Sequence, residues 1–383
     1  MRPTLEQHPH PLAFVADPGT PAVGGAGDAP DRSTLRCEVM GLGQFQKEGL
    51  VTDLTTGRSW RLAADEGTYL HGTDLAPAPL MHWGAGLHAD VTSRVAGAAR
   101  RRGTELTGLR LTLTQGFGSQ GSFARGEAVG LVGELHWTVE VQSTAPDEQI
   151  EAAVAEAFRR SPAHAALLEP AEGTFALYTN GRATPVVDVP RSRVTTQVDP
   201  FRRHATAPVP TDEMVTAHLL TRRPATEAGT VGLTDDQTET VHWHVLATGD
   251  YQFESRLTAS TVSFPGAGAS AWTLLSDETG RGAPSPLAYF SIGTAFCYHT
   301  QLCRYAKVRR MPVSNPRLVQ SSDFRADATS AVAEPLDTHL YLDGPATEAQ
   351  TASLLAAAAN TCYAHRALST RVPSSRQVAT AVG

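Results

Sequence analysis

Four cysteines occur in the 383 residues: Cys37, Cys297, Cys303 and Cys362. Cys297 sits in "SPLAYFSIGTAFCYHTQLCRYA" (residues 285–306), a run apolar enough for a buried helix yet carrying two cysteines, a histidine and an arginine. A cysteine that attacks an electrophile reacts as the thiolate, so a cation, a hydrogen-bond donor or a helix N-terminus must lower its pKa. Cys297 lies eleven residues beyond Pro286, too deep for much help from the helix dipole, which acts within the first turn. His299 and Arg304 are the nearest basic residues in sequence, and groups from the other half are further candidates. Attack on an O–O bond would give a sulfenic acid, which a second cysteine can condense to a disulfide. The competing reading is a space-filling thiol, since free cysteine is among the most buried residues. Cys303, six residues on, projects from another side of the helix and reads as core, and Cys37 reads as a small strand residue.

Other chemistry finds less support. "HWH" puts His242 and His244 on one strand face, but no third ligand stands at a convincing spacing, and zinc needs three or four. There is no G-x-S-x-G elbow, phosphate loop or dinucleotide fingerprint. "GFGSQGS" (116–122) and "GAGAS" (266–270) read as hairpin loops. No metal and no cofactor is expected.

The elements that must position Cys297 occur twice. "APAPLMHWGAGLHADVTSRVAGAARRRG" (76–103) and "APSPLAYFSIGTAFCYHTQLCRYAKVRRMP" (283–312) share an A-P-x-P opening, suited to a helix start, and each ends at a breaker, Gly103 or Pro312. Matching Pro79 to Pro286 sets Gly86 on Gly293 and Asp90 on Cys297. Downstream, "PDEQIEAAVAEAFRRSPAHAALLEP" matches "PATEAQTASLLAAAANTCYAHRALSTRVP", with Ser161 on Cys362 and His164 on His365. The separations agree, 71 residues from Asp90 to Ser161 and 65 from Cys297 to Cys362. Survival of the histidine in both copies suggests a structural role at the helix end. Alternating strands, "LHWTVEV" (135–141) and "THLYLD" (338–343), precede the terminal helices. A strand pair is expected in 240–262, with a weaker version in 37–67. Strands followed by helices in each half argue for an α+β fold, with long central helices packed on antiparallel sheets, built by tandem duplication.

The chain is too long for one ordinary core. We divide it into a disordered Pro/Gly/Ala-rich tail (1–34), a first domain (35–185), a linker (186–213) and a second domain (214–383). A net charge of -7 argues against nucleic acid as partner. No apolar run reaches the length of a membrane span, and the N-terminus lacks a secretory signal. The expectation is a cytoplasmic protein without persistent disulfides.

The segments "GAPSPLAYFSIGTAFCYHTQLCRYA" and "LAAAANTCYAHRALS" resemble the OsmC/Ohr family of thiol-dependent peroxide-reducing proteins, over about 240–372. Residues 36–183 resemble the same fold without either cysteine. The resemblance implies two OsmC-like domains embracing as an intramolecular pseudo-dimer, monomeric or in a higher homo-oligomer, with one site degenerate. It implies Cys297 as nucleophile, Cys362 as resolving thiol, a small-molecule substrate such as a hydroperoxide, and a dithiol reductant as partner. Leu287, Tyr289, Phe290 and Phe296 are the expected pocket, and His299, His82, His88, Asp90 and Arg94 the candidates for tuning the thiolate. The family's peroxidases carry a glutamate directly after the helix-heading proline, where this chain has Leu287 and Leu80. They also hold the thiolate with an arginine from an early strand turn; the corresponding stretch, Asp250 to Phe253, has none, with Arg256 and Arg281 only nearby. The alternatives are therefore a repurposed enzyme of specialised-metabolite biosynthesis and a non-catalytic small-molecule-binding protein.

Overall fold

The computed structural model describes residues 4–7, 11–16, 31–195, 197–200, 219–227, 229 and 241–381, with backbone only at 241 and 242. The first half runs β1 (Ala13–Val15), β2 (Arg32–Gly43), β3 (Gln46–Asp53), β4 (Ser59–Ala64), α1 (Pro79–Arg102), β5 (Gly108–Gln120), β6 (Val129–Gln142), α2 (Asp147–Arg160), α3 (Pro162–Leu168), β7 (Thr174–Thr179) and β8 (Arg182–Thr184). The second runs β9 (Leu220–Arg223), β10 (Val241–Gln252), β11 (Leu257–Ser263), β12 (Ala271–Asp277), α4 (Pro286–Val308), β13 (Ser314–Ala326), β14 (Ala331–Ala333), β15 (Asp337–Asp343), α5 (Glu348–Thr361), α6 (Tyr363–Ser369) and β16 (Ser374–Ala381). The fold is α+β, with two largely antiparallel sheets.

Neither half completes a sheet alone. One sheet has the order β1-β4-β3-β2-β13-β15-β7-β8, with β14 on β13; the other runs β16-β6-β5-β10-β11-β12-β9. Each joins the three-strand meander of one half to the paired strands of the other. Each then adds one parallel strand, β7 on β15 and β16 on β6. With the halves exchanged, the order β4-β3-β2-β13-β15-β7 in one sheet repeats as β12-β11-β10-β5-β6-β16 in the other.

The central helices form the layer between the sheets. α1 lies on β10, β11 and β5, α4 lies on β2, β3 and β13, and the two helices pack on one another. Both are buried nearly all round, which is why neither shows a clean polar face. Two glycines allow the close approach, and they do so reciprocally. A Cβ on Gly86 would stand 2.3 Å from Phe290 N and 2.6 Å from Pro286 O, and one on Gly293 would stand 2.4 Å from Trp83 N and 2.9 Å from Pro79 O. α4 begins with Pro286 in its first turn, and the Ser285 side chain accepts from Ala288 N. α1 ends where Gly103 takes φ +69°, a left-handed stop that glycine tolerates at no steric cost.

Two segments differ from the sequence reading. Ala13–Val15, assigned to a disordered tail, is a buried edge strand on β4, and β2 already begins at Arg32; the apolar "LAFV" run closes the sheet edge. Residues 116–120, read as a loop, continue β5 through a bulge at Gly116, because Phe117 is fully buried among aromatic rings. The start of the expected linker is held by contacts: Asp199 pairs with Arg317, and Ser192 N donates to Phe175 O. Residues 201–213 lie outside the described residues.

Candidate active site

The structure brings Cys297 and Cys362 together. Cys297 projects from the middle of α4; Cys362 stands at the break between α5 and α6. Both thiols are free, the residues are 3% and 0% exposed, and the Cys297 side chain lies near enough to perturb the Cys362 thiol. Burial pushes the Cys362 thiol well above its ordinary value and the Cys297 sulfur adds to the rise, while the backbone N–H groups of His365 and Ala364 oppose it without closing a capping hydrogen bond. His365 Nδ1 lies 3.2 Å from Cys362 Sγ. Burial lowers the His365 imidazole to about 3, so it meets the sulfur as a neutral ring.

The two sulfurs are not equivalent. Cys297 lines a crevice with Glu66, Tyr69, Leu70, Pro79 and Leu80 of the first half and Trp243, Phe264, Thr300, Gln301 and Tyr363 of the second. Cys362, fully buried, does not line it. The crevice measures about 20 Å³, room for about one water-sized group. Its aromatic wall is interlocked, Trp243 packing edge-on to both Phe264 and Tyr363.

Glu66 supplies the polar side. Thr300 Oγ1 donates to its Oε1 at 2.6 Å and Tyr69 Oη to its Oε2 at 2.7 Å. Lys47, fully buried on β3, donates from Nζ to Thr300 Oγ1 at 2.8 Å and lies 3.9 Å from Glu66 Oε1. Burial raises the Glu66 carboxyl, with Asp65 adding to the rise; Lys47, Thr300 and Tyr69 pull the other way.

At the matching place in the first half a carboxylate and a hydroxyl replace the two thiols. Ser161 Oγ donates to Asp90 Oδ2 at 2.6 Å, Ala163 N donates to the same oxygen at 3.1 Å, and Arg94 Nε donates to Asp90 Oδ1 at 3.0 Å. His164 N donates to Ser161 Oγ, and its ring contacts Phe158 O and Ser374 Oγ.

Several expected site residues stand elsewhere. Asp90 and Arg94 are committed to that first-half network. His88 bonds Ser260 Oγ and Leu111 O, and His82 bonds Ala63 O and packs on Tyr289 and Phe296. His299 bonds Pro316 O and Cys303 Sγ. Leu287, Tyr289, Phe290 and Phe296 are buried but do not line the crevice at Cys297; Phe290 lines a separate cavity with Ser291, Thr294 and Phe324. The cause is the crossing of the helices, which sets the head of α1, not that of α4, against Cys297. His244 is exposed, the His242 side chain lies outside the described residues, and no cluster able to hold a metal occurs among the described residues. No helix among them is long and apolar enough to cross a membrane.

Sequence reasoning missed Glu66, Tyr69, Lys47, Thr300 and Gln301. The signal was present for Glu66: "DEG" (65–67) and "DET" (277–279) stand before the two A-P-x-P openings, and Glu278 is likewise buried.

No protein-family model and no curated protein matches the chain. Among solved structures it is similar to an OsmC-like hydroperoxide resistance protein from Jannaschia sp. CCS1, at 18% identity over 40% of this chain and 98% of that one, with a TM-score of 0.26.

Proposed function

We propose that the chain is an intramolecular pseudo-dimer carrying one dithiol redox site, which reduces a small hydroperoxide or a comparable electrophile. The observation that carries this reading is the placement of the two sulfurs, one lining a crevice and the other buried near enough to it for each thiol to feel the other. The reciprocal glycine contacts and the exchanged strand orders support the pseudo-dimer.

In the first step the Cys297 thiolate attacks the terminal oxygen of R–O–OH. The S–O bond forms, the O–O bond breaks, and the proton given up by the thiol ends on the leaving RO⁻. Sulfur is oxidised to the sulfenic acid and the peroxide is reduced to an alcohol. Cys362 then attacks the Cys297 sulfur; the S–S bond forms and water leaves. A dithiol reductant restores both thiols by exchange. The crevice is bounded by both halves, so the first half contributes to the site although it lacks the cysteines.

The test is peroxide consumption with a dithiol reductant, alongside mass spectrometry of the oxidised protein. Wild type should turn over and form a Cys297–Cys362 disulfide. Cys297→Ser should be inert, and Cys362→Ser should stop at a sulfenic acid that dimedone traps. Intact thiols in wild type after peroxide exposure would end the reading and leave a buried, unreactive pair.

A further inference from the structure

Gln301 is the crevice residue with no assigned task. It lies four residues after Cys297 on α4, is 3% exposed, and its side-chain Oε1 finds no hydrogen-bond partner. A buried acceptor left empty is costly, and such a group in a native site calls for an explanation. The matched position in the first half shows what a side chain there can reach. Arg94, four residues after Asp90, turns back along its helix and donates to the Asp90 carboxylate at 3.0 Å. Residues four apart on a helix are surface neighbours, so Gln301 is placed to touch whatever sits on Cys297.

We propose that Gln301 binds the hydroperoxide itself, its Oε1 accepting the hydrogen bond of the terminal O–H so that this oxygen is presented to the Cys297 sulfur. The inference rests on the thiol-redox reading above and adds a substrate class to it. A space of about 20 Å³ holds about one water-sized group, so it favours hydrogen peroxide, the smallest hydroperoxide, over bulky ones. Chemistry and balance are those of the first step already written; the amide donates no electrons and keeps its protons.

The experiment measures the single-turnover rate of Cys297 oxidation for wild type and Gln301→Leu, using hydrogen peroxide and cumene hydroperoxide. The thiolate fraction, read by ultraviolet absorbance against pH, and the unfolding midpoint serve as controls. Gln301→Met, unbranched and of similar length, replaces leucine if that variant does not fold. The expected result is a rate with hydrogen peroxide lower by on the order of tenfold or more, with the thiolate titration unchanged and cumene hydroperoxide slow in every variant. An unchanged peroxide rate would show that the amide holds a water only and would overturn the inference alone. A loss that tracks a shifted thiolate titration would also overturn it, because the residue would then act through the sulfur. A wild type that does not react at all would overturn the parent reading and this one with it.

Discussion

Alanine at Gly86 or Gly293 should pry the central helices apart. The new Cβ would stand 2.3 Å from Phe290 N in the first case and 2.4 Å from Trp83 N in the second, about 1 Å inside a normal van der Waals contact. The obstacle is helix backbone, so no side-chain rotation relieves it and the helices must separate. Overpacking of this kind costs about 1–3 kcal/mol; with rigid backbone on both sides the upper end applies. Alanine returns about 1 kcal/mol of helix propensity, leaving a net loss near 2 kcal/mol for each substitution. The double variant should lose less than the sum, since one separation makes room for both methyl groups. Gly97→Ala is the control on the same helix. Its Cβ meets only the ends of the Arg101 and Arg100 side chains, at 3.3 Å and 3.8 Å, so propensity should dominate and stabilise by up to about 1 kcal/mol. Urea unfolding followed by tryptophan fluorescence reads the four variants against wild type. If Gly86→Ala and Gly293→Ala match or exceed wild type in stability, the reciprocal helix contact described above is wrong.

Acid should unfold the protein steeply. Burial lowers His82, His299 and His365 to about 3, and His88 and His164 to about 4, whereas an unfolded histidine titrates near 6.5. Stability from each is complete above about pH 6.5 and is lost as pH falls towards the folded values, at about 1.4 kcal/mol per pH unit per histidine. A urea midpoint unchanged between pH 7 and 5 would contradict this. Lys47→Met should leave the Glu66 charge buried and uncompensated, costing about 3–5 kcal/mol, and adding Glu66→Gln should recover part of that loss. Equal stability of the single and double variants in urea titrations would show that the pair is not coupled. Asp90→Asn should strand Arg94 in the same way; an unchanged midpoint would remove Arg94 from that network.

The long helices were legible because A-P-x-P marks their starts and their interiors are apolar throughout. The correspondence of Cys297 and Cys362 with Asp90 and Ser161 was legible because the separations, 65 and 71 residues, are close. The crevice was not. Glu66, Tyr69 and Leu80 reach Cys297 only because α1 crosses α4 with its head against the cysteine, a consequence of backbone approach at two glycines that no periodicity encodes. Lys47 escaped notice because "QKEGLVTD" reads as a half-exposed strand, whereas seven of its eight residues are buried. The exchange of strands between halves left no trace in either half's own pattern.

That exchange bears on how the chain can be made. Met40 in β2 pairs with Arg317 in β13, so 277 residues must leave the ribosome before the flank of β2 finds its neighbour. At elongation rates of about 5–20 residues per second the wait is roughly 15–60 s. Throughout it the nascent meander shows an open edge and an uncovered apolar face, the kind of surface that invites aggregation. The protein should therefore lean on holding chaperones during synthesis, and release of the nascent chain before β13 emerges should yield insoluble product.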